Sequence, residues 1–176
     1  SVIQRIQLSE DSKYLLSLPP YHVSGFGIIC RSLLSGARLI IKKGNQELHE
    51  VISKKKVSHV SAVAAQLPSL VGNADQCRSL RSCVVGGSKV SKELIESCII
   101  AGIPIQYSYG LTEMASQVAT SEIIKSPKEV YTCGNSLESI DFKIKNSHIL
   151  VKGKSLFKGY LVDSEIRRNV DMDDYF

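Results

Sequence analysis

Residues 109–113, Tyr-Gly-Leu-Thr-Glu, place a phenol, a glycine, a hydroxyl and a carboxylate directly after a short apolar run. A tyrosine ring can stack on a base, and glycine admits a close backbone approach. Thr112 can donate to a phosphate oxygen, and Glu113 is the hard oxygen ligand that Mg²⁺ prefers. The same pair also suits the start of a helix, where a hydroxyl cap and an acidic first turn are ordinary. Alone, the segment leaves a nucleotide site and a helix start open.

A second candidate is Gly86-Gly87-Ser88, which separates an apolar run from a helix-like segment. Its unobstructed N–H groups could hold an anion or the edge of a flat ring. A tight strand-to-helix turn would use the same residues. The segment is not a P-loop, because no Lys-Ser/Thr follows at the required spacing.

His22 and Arg31 are the remaining candidates. His22 lies in Pro-Pro-Tyr-His-Val-Ser-Gly, residues 19–25, where it could serve a ligand or be an ordinary hydrogen-bonded loop histidine. Arg31 follows nine residues later inside an apolar helical segment. An arginine in that setting either extends to the surface or holds a carboxylate in the interior.

The elements that must position these residues alternate between apolar runs and segments of helical period. Strands are predicted at 14–18, 38–42, 59–63, 82–85 and 103–107, and helices at 23–35, 47–56, 66–71 and 92–101. This order predicts an α/β fold with a largely parallel sheet of βαβ units, covered by helices. The loops at 19–25, 85–88 and 108–113 then all follow carboxyl ends of strands, where ligands bind in such sheets.

The last third of the chain has a different pattern. Alternating residues at 141–145 and 149–152, with Asn-Ser between them, predict an antiparallel hairpin. We therefore expect an α/β subdomain over residues 1–120 and a small antiparallel β-rich subdomain over residues 121–176. Because the chain begins at Ser1 and ends without a closing element, we also expect it to be a segment of a longer protein.

Composition limits the class of protein. The 176 residues suffice for a substantial core, and 43% hydrophobic with 22% charged residues is typical of a globular protein. The net charge is +5, but the one dense basic run, residues 54–56, falls at a predicted helix end, where it complements the dipole, so no nucleic-acid partner is expected. No apolar run approaches membrane-spanning length. Five cysteines without a C-x-x-C pair indicate a reduced, cytoplasmic protein without a zinc site.

In combination, the motifs resemble those of the adenylate-forming superfamily, which comprises acyl- and aryl-CoA synthetases, luciferases and peptide-synthetase adenylation domains. They are Leu-Pro-Pro-Tyr-His-Val-Ser-Gly (18–25), Val-Gly-Gly-Ser (85–88), Ser-Tyr-Gly-Leu-Thr-Glu (108–113) and Val-Lys-Gly (151–153) with Lys-Gly-Tyr (158–160). The resemblance covers essentially the whole chain. Within the superfamily, His-Val-Ser-Gly, Arg31 and Thr-Glu-Met-Ala-Ser-Gln are most similar to ligases that join a dicarboxylic aromatic acid to coenzyme A.

The resemblance implies a two-step reaction. A carboxylate attacks the α-phosphate of ATP to give an acyl-adenylate and pyrophosphate, and the thiol of coenzyme A then displaces AMP. It implies that Glu113 holds Mg²⁺, that Thr112 contacts the phosphate, and that Tyr109 packs on adenine beside Gly110. Thr112, Glu113 and His22 would be the catalytic residues.

The resemblance also implies where the substrates lie. Residues 86–88 would line the adenine and acyl pockets through their backbone. His22 and Ser24 would border the acyl pocket, and Arg31 would help to bind the distal carboxylate of the acid. Small-molecule acid, ATP and coenzyme A are thus the expected partners, and a homo-oligomer of the full-length protein stays open.

The chain departs from the superfamily pattern in several places. It lacks the phosphate loop, the Thr-Gly-Asp, the hinge and the lysine-bearing terminal domain, so this segment alone is expected to be inactive. Ser147-His148-Ile149 stands where Gly-Glu-Leu is usual, and residues 134–139 lose both prolines and a glycine of the usual turn. Two alternatives stay open: a synthetase for another aryl or fatty acid, and a non-catalytic nucleotide-binding module.

Overall fold

Helices and strands alternate along residues 1–126, 128–129, 132–167 and 175–176, which the computed structural model describes. The α-helices are α1 (Val2–Arg5), α2 (Val23–Ser35), α3 (Leu48–Lys55), α4 (Leu67–Gly72) and α5 (Lys92–Ile100). The strands are β1 (Lys13–Leu16), β2 (Arg38–Ile41), β3 (His59–Ala62), β4 (Ser82–Val85), β5 (Ile105–Leu111), β6 (Ser116–Thr120), β7 (Ile140–Lys145), β8 (His148–Gly153), β9 (Tyr160–Val162) and β10 (Glu165–Arg167). All the predicted helices and strands are present, with ends displaced by a few residues.

Six strands form the main sheet, in the order β2-β1-β3-β4-β5-β6. β1 to β5 pair in parallel, and β6 runs antiparallel to β5. β7–β8 and β9–β10 are separate antiparallel pairs. The predicted α/β class, a largely parallel sheet followed by small antiparallel sheets, is confirmed. The subdomain boundary near residue 120 stays a prediction, and residues 127, 130–131 and 168–174 of the predicted β-rich part lie outside the described residues.

The sheet is buried on both faces, as its nearly continuous apolar strands predict. One face packs against α3, α4 and α5 through a large apolar cluster that includes Leu15, Val60, Cys83, Val85 and Ile105. The opposite face meets α1 and α2 through a smaller cluster around Tyr14, Ile28 and Val84. None of the helices in the described ranges has the length and hydropathy needed to cross a bilayer.

The face beneath α1 is partly polar, and its polar groups are satisfied. The buried His59 donates from Nε2 to the carbonyl of Ile6 at 2.9 Å, and its Nδ1 accepts from the hydroxyl of Ser58 at 2.8 Å. Burial lowers the pKa of His59, although the bond to Ile6 opposes the shift. Gln106 donates to the carbonyls of Arg5 and Ser121 at 3.2 and 3.1 Å. These bonds attach α1 to the sheet.

The direction in which successive strands are added to the sheet reverses at β1. β2 lies on one side of β1, whereas β3 lies on the other. The intervening helices also separate, because α2 packs on one face of the sheet and α3 on the other. Such a reversal opens a crevice at the carboxyl ends of the strands, the usual place for a ligand in an open α/β sheet.

Candidate functional site

A pocket of about 570 Å³ occupies this crevice. One wall comes from the segment after β1 and from α2, and the opposite wall from the loop after β4, the end of β5 with the turn that follows it, and the start of β6. The end of β3, residues 61–63, contributes between them. The pocket is large enough for a small organic ligand.

Seven of the ten predicted site residues line the pocket. They are His22, Ser24, Arg31, Gly86, Gly87, Gly110 and Thr112. The structure therefore brings together residues from α2 and its N-cap, from the loop after β4, and from the end of β5 with the turn that follows it. The prediction of a loop at 108–113 was wrong for its first four residues, because β5 continues to Leu111 by pairing with β6. Ser88, Tyr109 and Glu113 belong to these segments but do not line the pocket itself.

Glycine is required at two positions of the far wall. A Cβ on Gly110 would lie 1.9 Å from the carbonyl oxygen of Ser116, because β5 and β6 approach closely at the irregularity between Tyr109 and Gly110. Gly87 has a φ of +81°, which disfavours other residues. Bare backbone therefore faces the pocket at both places.

The loop after β4 is fixed by a tyrosine that the motifs did not identify. The hydroxyl of Tyr107 accepts from the N–H of Val90 at 3.3 Å and donates to the carbonyl of Ser88 at 3.4 Å. The glycine loop is thereby tied to β5. Residues 86–88 are both a strand-to-helix turn and part of a pocket wall.

His22 is the N-cap of α2. Its Nδ1 accepts from the backbone N–H of Ser24 at 3.2 Å and lies 2.8 Å from the Ser24 hydroxyl. With Nδ1 as the acceptor, the neutral ring carries its proton on Nε2. The ring is thus held at the positive end of the α2 dipole. Sequence reasoning proposed a loop histidine and did not foresee the cap.

Arg31 is half-buried and turns along the pocket wall. Its Nη1 donates to Oε1 of Gln117 at 3.1 Å, and its Nε is buried without a hydrogen-bond partner among the described residues. Gln117 in turn donates to the hydroxyls of Ser108 and Thr120 at 3.0 and 2.9 Å. The network holds a cation beside the pocket. Gln117 ends one of the motifs, but no site role was predicted for it or for Thr120, because no local pattern signals a partner on another element.

Thr112 and Glu113 begin a single 3₁₀ turn, Thr112–Met114, at the end of β5. A short helical turn therefore does begin here, with the acidic Glu113 in it, but Leu111 and not a hydroxyl residue is its N-cap. The same turn places Thr112 at the pocket wall. The hydroxyl of Tyr160 donates to Oε1 of Glu113 at 2.5 Å, and this bond raises the pKa of Tyr160. Tyr109 stands next to this turn on β5, opposite Ala119 of β6, and its side chain is partly exposed.

The described residues could bind Mg²⁺ through one carboxylate, that of Glu113, but they could not enclose the ion. Among the described residues, no group of three or more His, Cys, Asp or Glu side chains could enclose a metal. Glu113 offers one carboxylate next to the pocket. Mg²⁺ commonly takes one or two protein carboxylates, and substrate phosphates and water complete its shell. The donor set therefore suits a magnesium ion that arrives with a nucleotide.

Comparison with known proteins agrees with this geometry. Residues 1–161 match the family model for AMP-binding enzymes. The chain is 30% identical over 182 residues to a 2-succinylbenzoate–CoA ligase of Staphylococcus epidermidis, a match that covers 98% of this chain and 38% of that protein. It is 31% identical to the Escherichia coli protein MenE, solved with a bound analogue of OSB-AMS, at a TM-score of 0.85. That match covers 99% of this chain and 38% of the other.

A second solved structure gives the same fold at lower identity. It is the o-succinylbenzoate CoA synthetase of Bacillus subtilis in complex with the acyl-adenylate OSB-AMP, 25% identical at a TM-score of 0.84, covering 99% of this chain and 42% of that one. The chain thus spans less than half the length of the relatives that it matches. Since the family model extends over most of the sequence, the chain belongs to the family of AMP-binding enzymes.

Proposed function

We propose that the full-length protein is an ATP-dependent, AMP-forming acid–CoA ligase, and that its acid is o-succinylbenzoate, a precursor in menaquinone biosynthesis. The observation that carries the proposal is the pocket at the strand reversal, with a cation on one wall and bare backbone on the other. The names of the relatives support the choice of acid.

The reaction has two displacements. A carboxylate oxygen of the acid attacks the α-phosphorus of ATP, and pyrophosphate leaves. The sulfur of coenzyme A then attacks the acyl carbonyl, and AMP leaves. Both steps move negative charge onto phosphate oxygens, so donors and cations near the phosphate lower the barrier.

The far wall of the pocket serves the nucleotide. In our proposal, the backbone of Gly86, Gly87 and Gly110 approaches the nucleotide closely, and the Thr112 hydroxyl donates to a phosphate oxygen. The partly exposed ring of Tyr109 packs on adenine. Glu113 holds Mg²⁺, which neutralises phosphate charge when it is bound.

The near wall serves the acid. His22 and Ser24 border the acyl group, and His22 offers its Nε2–H as a donor because Nδ1 is occupied by the cap. Arg31 binds the second carboxylate of the acid. Its buried Nε, which has no hydrogen-bond partner in the part of the chain that the structure describes, supports this role, since a buried donor without a partner is costly unless a ligand satisfies it.

Substitution of Arg31 in the full-length protein tests the proposal. Arg31→Leu should lower kcat/KM for o-succinylbenzoate by about 10- to 100-fold, the value of a charged hydrogen bond. A benzoate that lacks the second carboxylate should be ligated with little change. Arg31→Lys keeps the positive charge but loses the paired N–H donors of the guanidinium. Its kcat/KM for o-succinylbenzoate should therefore lie between the values of Arg31→Leu and the unsubstituted protein. Equal losses for both acids would contradict the assignment of the acid.

Pyrophosphate release distinguishes the remaining readings. Release with other aryl or fatty acids, but not with o-succinylbenzoate, would indicate another synthetase. ATP binding without release for any acid would indicate a non-catalytic module. The five free cysteines support a reducing compartment, and we propose the cytoplasm.

A further inference from the structure

Glu113 is held by a segment that lies almost fifty residues further along the chain. The hydroxyl of Tyr160, the first residue of β9, donates to Oε1 of Glu113 at 2.5 Å. Three residues earlier, the N–H of Phe157 donates to the main-chain carbonyl of Glu113 at 2.8 Å. The segment 157–160 therefore fixes both the backbone and the side chain of Glu113.

Aromatic packing fixes the phenol that makes this bond. The ring of Tyr160 meets the ring of Phe157 edge-to-face, with centroids 4.8 Å apart. Phe157 also packs edge-to-face on Phe176 at 5.1 Å. Although Tyr160 is 46% exposed, two neighbouring rings limit the positions of its hydroxyl.

The bond occupies one oxygen of the carboxylate. Among the described residues, Tyr160 is the group that hydrogen-bonds to the Glu113 side chain, and it bonds to Oε1. The second oxygen then remains for a cation, in an orientation set by the first. Groups that hydrogen-bond to a metal-binding carboxylate orient it in this way, and their loss typically weakens metal binding about 10- to 100-fold.

We propose that Tyr160 is a positioning residue that presents the Glu113 carboxylate to the magnesium ion of the nucleotide. The inference rests on the proposed function, in which Glu113 holds Mg²⁺. Tyr160 does not contact the reacting atoms. It acts by occupying Oε1 and restricting the carboxylate, which leaves Oε2 as the oxygen available to a cation.

The test is a Mn²⁺ titration of the full-length protein with a non-hydrolysable ATP analogue, followed by electron paramagnetic resonance. Tyr160→Phe should weaken Mn²⁺ binding about 10-fold. In turnover, the Mg²⁺ concentration for half-maximal pyrophosphate release should rise similarly, while kcat at saturating Mg²⁺ changes little. Tyr175→Phe is the matched control: it also removes one phenol, and its ring lies over the ammonium of Lys143. It should leave Mn²⁺ binding unchanged.

A second variant separates positioning from folding. Phe157→Leu removes the ring contact but keeps the Tyr160 hydroxyl that bonds to Glu113, so it should lower the melting temperature and weaken Mn²⁺ binding clearly less than Tyr160→Phe does. Adding Tyr160→Phe to Glu113→Gln should cause no further loss, since the two residues act through one interaction. The inference would be overturned if Phe157→Leu lost as much Mn²⁺ affinity as Tyr160→Phe, or if the losses in the double variant were additive.

The outcomes also separate this inference from the proposed function. If Glu113→Gln weakens Mn²⁺ binding and Tyr160→Phe does not, the positioning role is wrong and the metal role of Glu113 stands. If neither variant weakens binding, the metal role itself is wrong.

Discussion

Gly27 lies against the guanidinium of Arg31, which is the residue one helical turn further along α2. A Cβ at position 27 would lie 3.1 Å from Nη1 and 3.3 Å from Cζ and Nη2. These distances are tighter than ordinary contact. The glycine therefore provides the space in which the guanidinium turns towards Gln117 instead of solvent.

We expect Gly27→Ala to separate stability from substrate binding. Alanine in a helix interior is favoured over glycine by about 0.5–1 kcal/mol, and the end of a long side chain can shift by a few tenths of an ångström. The free energy of unfolding in urea should therefore rise. KM for a dicarboxylic acid should also rise severalfold, because the guanidinium moves. A stabilised variant with an unchanged KM would contradict this role of Gly27.

Gly110→Ala should destabilise the protein strongly. The added methyl group would meet the carbonyl oxygen of Ser116 at 1.9 Å and its carbon at 2.6 Å, and these are backbone atoms that move only with β6. We expect a loss of about 3 kcal/mol or more in the free energy of unfolding. Gly72→Ala is the matched control, since no atom lies within 4 Å of the added methyl. Similar effects of the two substitutions on the denaturation midpoint would refute the close approach of β5 and β6.

His59 should make the protein less stable in mild acid. Burial lowers its pKa in the folded state, so below pH 6.5 the unfolded chain binds a proton that the folded protein excludes. Stability should hold above the unfolded pKa and fall as the pH drops from about 6.5 towards the folded value, by at most about 1.4 kcal/mol per pH unit. Urea unfolding at pH 7.5, 6.5 and 5.5 measures this.

The His59→Gln variant provides the comparison, because glutamine does not titrate. Its stability should vary less between pH 7.5 and 5.5 than that of the unsubstituted protein. Parallel curves for the two proteins would assign the acid sensitivity to other groups.

The sequence predicted the parallel sheet because its signals are local. Buried strands such as Ser82–Val85 are short apolar runs, and the start of α5 and the end of α2 carry recognisable caps. Ser91 accepts from the N–H of Leu94 at 3.2 Å, and Gly36 ends α2 with a φ of +74°. Such features depend on neighbours within four residues, so they can be read directly.

Several elements could not be predicted, because their cause is tertiary. β6 follows a turn with positive φ at Ala115 and Ser116, where a sequence offers no glycine to mark it. α1 has four residues, about one turn, which is too short for a helical period to appear in the sequence. The bonds of Arg31 to Gln117 and of Tyr160 to Glu113 join residues 86 and 47 positions apart. The motifs contain all four residues, but they do not indicate which of them pair.

The two walls of the pocket are separated by β3 and by more than fifty residues of chain. Neither wall can exist as a binding surface while the strands between them are unpaired. A molecule that bridges both walls is therefore linked thermodynamically to the unfolding of the whole sheet. At a hundred times its dissociation constant, such a molecule adds about 2.7 kcal/mol to the free energy of unfolding of the whole sheet. A ligand bound in the crevice thus stabilises the whole fold. Increased resistance to proteases would therefore report its binding without any enzymatic turnover.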